Sequence, residues 1–160
     1  ACAPPPPQTP APPPPPRDLL VELGDAEAAG DRDAMLSLAH ELLADPATDD
    51  ALTLDLADLL ARQGDTQGAL AAYQGVAEAI EAAPEPDWAL LINLEGRMTE
   101  IAAAAGDTGT ASLHAGRAVG LVTRHLGIDH PRLAPLLAWR CQQRGGLGAP
   151  RDSKFKTKTL

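Results

Sequence analysis

The chain contains few aromatic residues, few cysteines and no long apolar run. It has two tryptophans, one tyrosine and one phenylalanine in 160 residues, and alanine and the aliphatic residues supply nearly all of its apolar content. Alanine is the best helix former, so this composition favours an all-α fold. No stretch approaches the roughly 18 apolar residues of a membrane-spanning helix. The two cysteines, Cys2 and Cys141, are too few for a disulfide framework.

Charge is distributed unevenly along the chain. Residues 17–144 hold 21 acidic residues against 9 arginines, whereas every lysine lies in the last seven residues. Nucleic-acid affinity depends on neutralising phosphates, so we expect no nucleic-acid binding by the acidic part. The basic tail has two interpretations. It adds solubility, or Lys154, Phe155, Lys156 and Lys158 contact an acidic partner, a sheet edge or lipid head groups.

Composition divides the chain into three regions. Residues 1–16 hold 10 of the 16 prolines, so they cannot join a helical core, and we interpret them as a tether or as a docking motif for a proline-recognising domain. Residues 17–144 form the predicted folded domain. Residues 145–160 are predicted to be a flexible basic tail.

Helical periodicity within the domain predicts seven helices, over residues 18–29, 32–44, 49–63, 66–83, 87–105, 108–126 and 131–144. The dipeptide Gly-Asp recurs at Gly30-Asp31, Gly64-Asp65 and Gly106-Asp107, with spacings of 34 and 42 residues. Glycine can take the left-handed conformation that ends a helix, and aspartate can cap the amides that begin the next. A period in this range indicates successive helical hairpins.

The sequence LADLLARQGDTQGALAAYQGV (residues 56–76) resembles a tetratricopeptide repeat through Leu56, Ala57, Leu60, Gly64, Asp65, Ala69 and Tyr73, and the match continues at Ala77. The stretch HLGIDHPRLAPLLAWRCQQRGG is similar to the longer repeats of kinesin light chains. The resemblance implies a short right-handed solenoid of about three antiparallel hairpins plus a closing helix. It also implies a non-enzymatic scaffold whose concave groove holds a protein or peptide.

Repeat positions place ten residues on the groove side, namely Leu20, Glu27, Leu54, Asp58, Ala61, Arg62, Asn93, Gly96, Glu100 and Trp139. Their mixture of charges favours a peptide with polar and basic groups. Trp139 is the preferred anchor, since no later repeat covers the last helix. The alternative for each of them is an ordinary solvated residue.

Ala1-Cys2 followed by the proline run resembles the junction of a bacterial lipoprotein, in which the cysteine is acylated. That resemblance implies an envelope protein, anchored in the outer membrane and facing the periplasm, that helps to assemble a secretion or pilus complex. The alternatives are a terminal cysteine without a role in a cytoplasmic adaptor, or the repeat region of a larger regulatory protein such as a kinase.

No catalytic, cofactor or metal site is expected from the sequence. His125, Asp129 and His130 are close together in the chain, but they fall in a loop that is a structural turn in the repeats it resembles. His40 and His114 have no evident nucleophilic partner, so we interpret them as surface or packing residues. Cys141 is interpreted as a packed cysteine of the closing helix.

Overall fold

A computed structural model describes residues 17–138, and all regular structure in that range is helical. The helices are α1 (Leu19–Ala29), α2 (Arg32–Leu43), α3 (Asp50–Arg62), α4 (Thr66–Ala82), α5 (Trp88–Ala104) and α6 (Thr108–Leu121). A π-helical turn, Val122–Leu126, follows α6. A further helix, α7, begins at residue 133 and is described as far as residue 138. The predicted all-α class is confirmed, and the first five helices match their predicted ends within one residue.

Several predictions concern residues outside the described range. They are the tether at residues 1–16 with Cys2, the tail at residues 145–160, and the anchor Trp139 and the packed Cys141 of the closing helix. The tail contacts Lys154, Phe155, Lys156 and Lys158 also lie there.

An aspartate directly precedes each of the helices α1 to α6. The side chain of this residue accepts a hydrogen bond from the backbone amide three positions later, at 2.8–3.3 Å. An N-cap of this kind satisfies an amide that the helix itself leaves unpaired. The caps are Asp18, Asp31, Asp49, Asp65, Asp87 and Asp107.

The three Gly-Asp pairs form the turns between α1 and α2, α3 and α4, and α5 and α6. Gly30, Gly64 and Gly106 have φ angles of 68°, 83° and 80°, in the left-handed region. The amide of the following aspartate donates to a carbonyl five residues earlier, at 2.9 Å in all three turns. This pairing satisfies the helix end by a Schellman-type bond, and the same aspartate then caps the next helix. The predicted role of the Gly-Asp pairs is confirmed.

The helices pack as sequential antiparallel pairs, α1 with α2, α3 with α4, and α5 with α6. Contacts between α2 and α3 and between α4 and α5 join each pair to the next. The largest fully buried apolar side chains on α3 and α5 are Leu56, Leu60, Leu91 and Met98. The second helix of each pair buries small residues with no exposed surface, namely Ala39, Ala69, Ala111, Ala115 and Ala118. Small side chains on one partner let the helices pack closely around the large ones.

A charged cluster is buried where α5 and α6 meet. The side chain of Glu95 is completely buried, and its Oε2 lies 2.8 Å from Nδ1 of His114, which is also buried. Nε of Arg117 lies 3.1 Å from Oε1 of Glu95, in an ion pair that lacks hydrogen-bond geometry. Arg117 also contacts Glu81 of α4, at 2.9 Å. Since a buried carboxylate needs partners, this cluster ties α4, α5 and α6 together.

The predicted helix over residues 108–126 has the predicted bounds, but its last turn is not α-helical. The α-helix ends at Leu121 and continues as the π-helical turn, in which the amide of Gly127 donates to the carbonyl of Val122. In this wider turn Val122 is fully buried, and the ring of His125 stacks on Trp88 with centroids 3.9 Å apart. The predicted start of the last helix is wrong, because Pro131 lies in the turn before α7.

Two glycine substitutions test whether the left-handed turns hold the hairpins together. A Cβ added at Gly106 or at Gly75 meets nothing within 4 Å, so the two sites differ mainly in backbone conformation. Gly106→Ala should lower the free energy of unfolding by about 1–2 kcal/mol, because alanine is strained at a φ of 80°. Gly75→Ala, inside α4, should raise it by about 0.8–1 kcal/mol. Urea unfolding of both variants measures these changes, and equal effects would contradict the role of the turn.

Candidate functional site

A cleft of about 500 Å³ lies between α5 and α7, and we call it the α5–α7 cleft. It is lined by Ile92, Asn93, Gly96, Arg97, Thr99, Glu100, Arg132, Pro135 and Leu136. Asn93, Arg97 and Glu100 are exposed, whereas Ile92 and Thr99 are buried beneath them. The cleft therefore combines an apolar floor with a polar rim.

Helix α5 forms one wall of the cleft because its two faces have different residues. Gly96 and Arg97 lie three and four residues after Asn93 and four and three residues before Glu100, and residues at these spacings share one face of a helix. The opposite face carries the buried residues Leu91, Leu94 and Met98. The other wall is fixed by Leu133 of α7, which is buried against Ile92 and Val122.

Arg132 spans the cleft from the turn that precedes α7. Its Nη1 donates to Oδ1 of Asn93 at 2.8 Å and to the carbonyl of Ala89 at 3.4 Å. Its backbone amide donates to Nδ1 of His130 at 3.3 Å. Both acceptors of the guanidinium are uncharged, so these bonds orient the side chain without neutralising it.

A hydrogen-bond network connects the cleft to α3 and α4. The hydroxyl of Tyr73 donates to Oδ1 of Asp58 at 2.6 Å, and Nη2 of Arg97 donates to the same oxygen at 2.7 Å. Nη1 of Arg97 donates to Glu100 at 3.0 Å. Asp58 and Glu100 are therefore both engaged by Arg97 at the end of the cleft nearer α3.

The titration of these groups reflects their contacts. Burial and the hydrogen bond to Asp58 raise the pKa of Tyr73 to about 12. Burial alone would raise the pKa of Asp58, but the hydrogen bonds from Tyr73 and Arg97, with the nearby charge of Arg62, leave that pKa below its ordinary value. Hydrogen bonds to Asp58 and Glu100 raise the pKa of Arg97. Asp58 and Arg97 are therefore charged at neutral pH, and Tyr73 is neutral.

The residues that the sequence placed in a groove are only partly brought together. Asn93, Gly96 and Glu100 line the α5–α7 cleft, and Asp58 reaches it through Arg97. Leu54 and Ala61 are half-buried against the core, and Arg62 is exposed in the last turn of α3. Leu20 and Glu27 are exposed on α1.

Sequence reasoning missed Arg97 and Arg132. Arg97 lies one position from Gly96 on α5, so its helical spacing from Asn93 and Glu100 was a usable signal. Arg132 carried no such signal, because its contact with Asn93 joins residues 39 positions apart.

His40 and Asp65 form a structural contact outside the α5–α7 cleft. Nε2 of His40 lies 2.7 Å from Oδ2 of Asp65, beside a second cleft lined mainly by small residues of α4. The same carboxylate caps α4 through the amide of Gly68, and this bond is the largest cause of its lowered pKa. Between residues 17 and 138, no group of three or more His, Cys, Asp or Glu residues is placed to hold a metal ion.

None of the helices in this range is long and apolar enough to cross a membrane.

Because Tyr73 is the only tyrosine, its absorbance reports the Asp58 network directly. We expect it to ionise near pH 12 in the folded protein, against an ordinary value of 10.0. A raised pKa means that the neutral form is favoured by folding. The stability contributed by the tyrosine should be complete below pH 10 and be lost as the pH rises towards 12.

The matched variant is Asp58→Asn, in which burial remains but the carboxylate is removed. Its tyrosine should titrate at lower pH than in the unmodified protein, because a neutral amide no longer opposes formation of the phenolate. Ultraviolet absorbance titration measures the pKa of Tyr73 in both proteins, over the pH range in which their helices remain folded. Titration of the unmodified protein at the ordinary value would contradict the network.

Comparison with known proteins adds no support to the resemblance to tetratricopeptide repeats, which depends only on the residues of this chain. No family model matches the chain, and no curated protein matches it. The function is therefore argued from the geometry of the α5–α7 cleft.

Proposed function

We propose that the chain is a non-enzymatic scaffold that binds a segment of a partner protein in the α5–α7 cleft. The observation that carries this proposal is the cleft itself, whose apolar floor lies beneath an oriented arginine and asparagine. A segment of a protein carries apolar and polar side chains a few residues apart, so it can contact the floor and the polar residues of the cleft together. Apolar pockets with a few placed polar groups are the usual form of binding sites.

The repeated turns support a tetratricopeptide-like right-handed solenoid. The three Gly-Asp turns have the same backbone hydrogen bond at the same distance, and each closes one antiparallel pair. Units that repeat one turn geometry tend to stack with a constant rotation, and stacks of this kind present extended concave binding surfaces. In such a solenoid α3, α5 and α7 would line the concave side.

The side chains of the cleft favour binding over catalysis. Among residues 17–138, the lining contains no serine, cysteine or histidine. Thr99 carries the one hydroxyl of the described lining, and it donates to the backbone carbonyl of Glu95 at 2.8 Å. Nucleophilic or general-base chemistry needs a nucleophile beside a base, and this lining does not favour it.

The proposed setting is the bacterial cell envelope. An acylated Cys2 would anchor the chain in the outer membrane, and the proline-rich segment that follows it would hold the folded part away from the lipid. Polyproline segments extend by about 3.1 Å per residue, so residues 1–16 would span roughly 40–50 Å. From there the cleft would hold a periplasmic subunit of a secretion or pilus complex during assembly.

Blocking the cleft without harming the fold tests the binding proposal. Gly96 lines the cleft, and a Cβ added there meets nothing within 4 Å. Gly96→Leu should therefore fold with a stability about 0.5–1 kcal/mol higher, because leucine favours helix over glycine. It should also fill the cleft and abolish partner capture from an extract of the native organism.

The control is Gly116→Leu, which introduces the same side chain on α6, away from the cleft and also in open space. This variant should capture the same partners as the unmodified protein. Capture that is equal in both variants, measured by pull-down and mass spectrometry, would mean that the partner binds elsewhere.

The anchor is tested by mass spectrometry of the protein purified from its native membrane. Acylation should appear on the peptide that contains Cys2, and Cys2→Ser should release the protein from the membrane fraction. An unmodified Cys2 in soluble protein would contradict the envelope setting and leave the cytoplasmic adaptor.

A further inference from the structure

The α5–α7 cleft contains a positive charge in a strongly acidic protein. Residues 17–138 include 21 acidic residues and only 7 arginines. Three of these arginines, Arg17, Arg97 and Arg117, form ion pairs with carboxylates. Arg132 has no carboxylate partner among the described residues and is bonded only to an amide oxygen and a backbone carbonyl. Its charge is therefore uncompensated inside the cleft.

The hydrogen bonds of Arg132 leave its carboxylate-binding edge available. Nη1 makes both contacts, to Asn93 and to Ala89, whereas Nε and Nη2 make no hydrogen bond within residues 17–138. Nε and Nη2 form the planar edge through which arginine binds a carboxylate with two parallel bonds. The contacts to α5 thus fix the guanidinium in place, and no described residue occupies that edge.

The acidic residues near the cleft do not supply the missing carboxylate. Glu100 and Asp58 both accept from Arg97, at 3.0 Å and 2.7 Å. This geometry changes the expectation for the ligand, because the sequence suggested basic groups opposite Asp58 and Glu100. Both carboxylates are already hydrogen-bonded to Arg97, whereas Arg132 has no carboxylate partner within residues 17–138, so Arg132 is the charge that a ligand carboxylate can complement.

Apolar side chains line the same cleft as Arg132. Ile92 is buried at the floor of the cleft, and Leu136 is half-buried on the wall formed by α7. An aliphatic side chain placed there would lose water-exposed area, which stabilises binding. The two features lie in one cleft, so a single ligand segment could satisfy both.

We infer that the α5–α7 cleft binds a partner segment in which an Asp or Glu side chain pairs with Arg132 and an adjacent aliphatic side chain contacts Ile92 and Leu136. This inference rests on the proposed function, since it names the partner chemistry of the same cleft. The ligand carboxylate is more suitably a side chain within the segment than the end of a chain. The cleft extends along α5 from Arg132 to Arg97, so a segment can continue past Arg132.

The test is a selection from a random peptide library, displayed on phage, against the immobilised full chain. Selected peptides should be enriched in Asp or Glu next to Leu, Ile or Val. Synthetic versions with blocked ends should bind the unmodified protein and lose affinity about tenfold or more on Arg132→Gln, because a hydrogen-bonded charge pair is lost. Their affinity should also fall as salt is raised.

Two matched variants separate charge from folding. Arg132→Lys keeps the positive charge and should retain more affinity than Arg132→Gln. Arg124→Gln removes an exposed arginine of the π-helical turn, outside the cleft, and should bind like the unmodified protein. Circular dichroism checks that the total helix content is unchanged in each variant.

The outcomes distinguish the inference from the proposed function. Basic peptides that are blocked by Gly96→Leu would overturn the acidic ligand and leave the cleft as a binding site. Equal losses in the lysine and glutamine variants would also overturn it, since charge would then not matter. If no selected peptide depends on Gly96 or on Arg132, both proposals fail.

Discussion

A left-handed glycine followed at once by a capping aspartate is the constraint on which the structure depends. The glycine allows the chain to leave one helix, and the aspartate satisfies the first amides of the next helix within the same turn. Because both roles are filled by two consecutive residues, the helices of each pair start close together and run antiparallel. The same turn at Gly30, Gly64 and Gly106 produces three similar pairs.

Helix α5 connects this scaffold to the candidate site. One side of it contributes Leu91, Leu94 and Met98 to the main core, and it also holds the buried Glu95 with its partners on α6. The other side presents Asn93, Gly96 and Glu100 to the cleft. A helix held on its buried side by apolar and charged contacts gives the exposed residues fixed positions, which is what preorganised recognition requires.

Local features of the fold were predictable from the sequence, and long-range ones were not. The Gly-Asp turns and helix ends depend on residues a few positions apart, so they were readable. The burial of Glu95 was not predictable, because nothing nearby in sequence shows that His114 and Arg117 lie across from it on α6. In the site, Asn93 and Glu100 followed from repeat positions. Arg132 did not, since its placement requires α7 to pack through Leu133 on Ile92.

The central claim is that the surface at Gly96 meets a partner protein in the cell. Site-specific photocrosslinking tests it most directly, with a photoreactive amino acid placed at Gly96 in the cleft or at Gly116 on α6, both in open space. Ultraviolet irradiation of living cells of the native organism, followed by mass spectrometry, identifies what is joined. We predict one or a few defined protein adducts from position 96 and none of these from position 116. The same adducts from both positions, or none from position 96, would contradict the account.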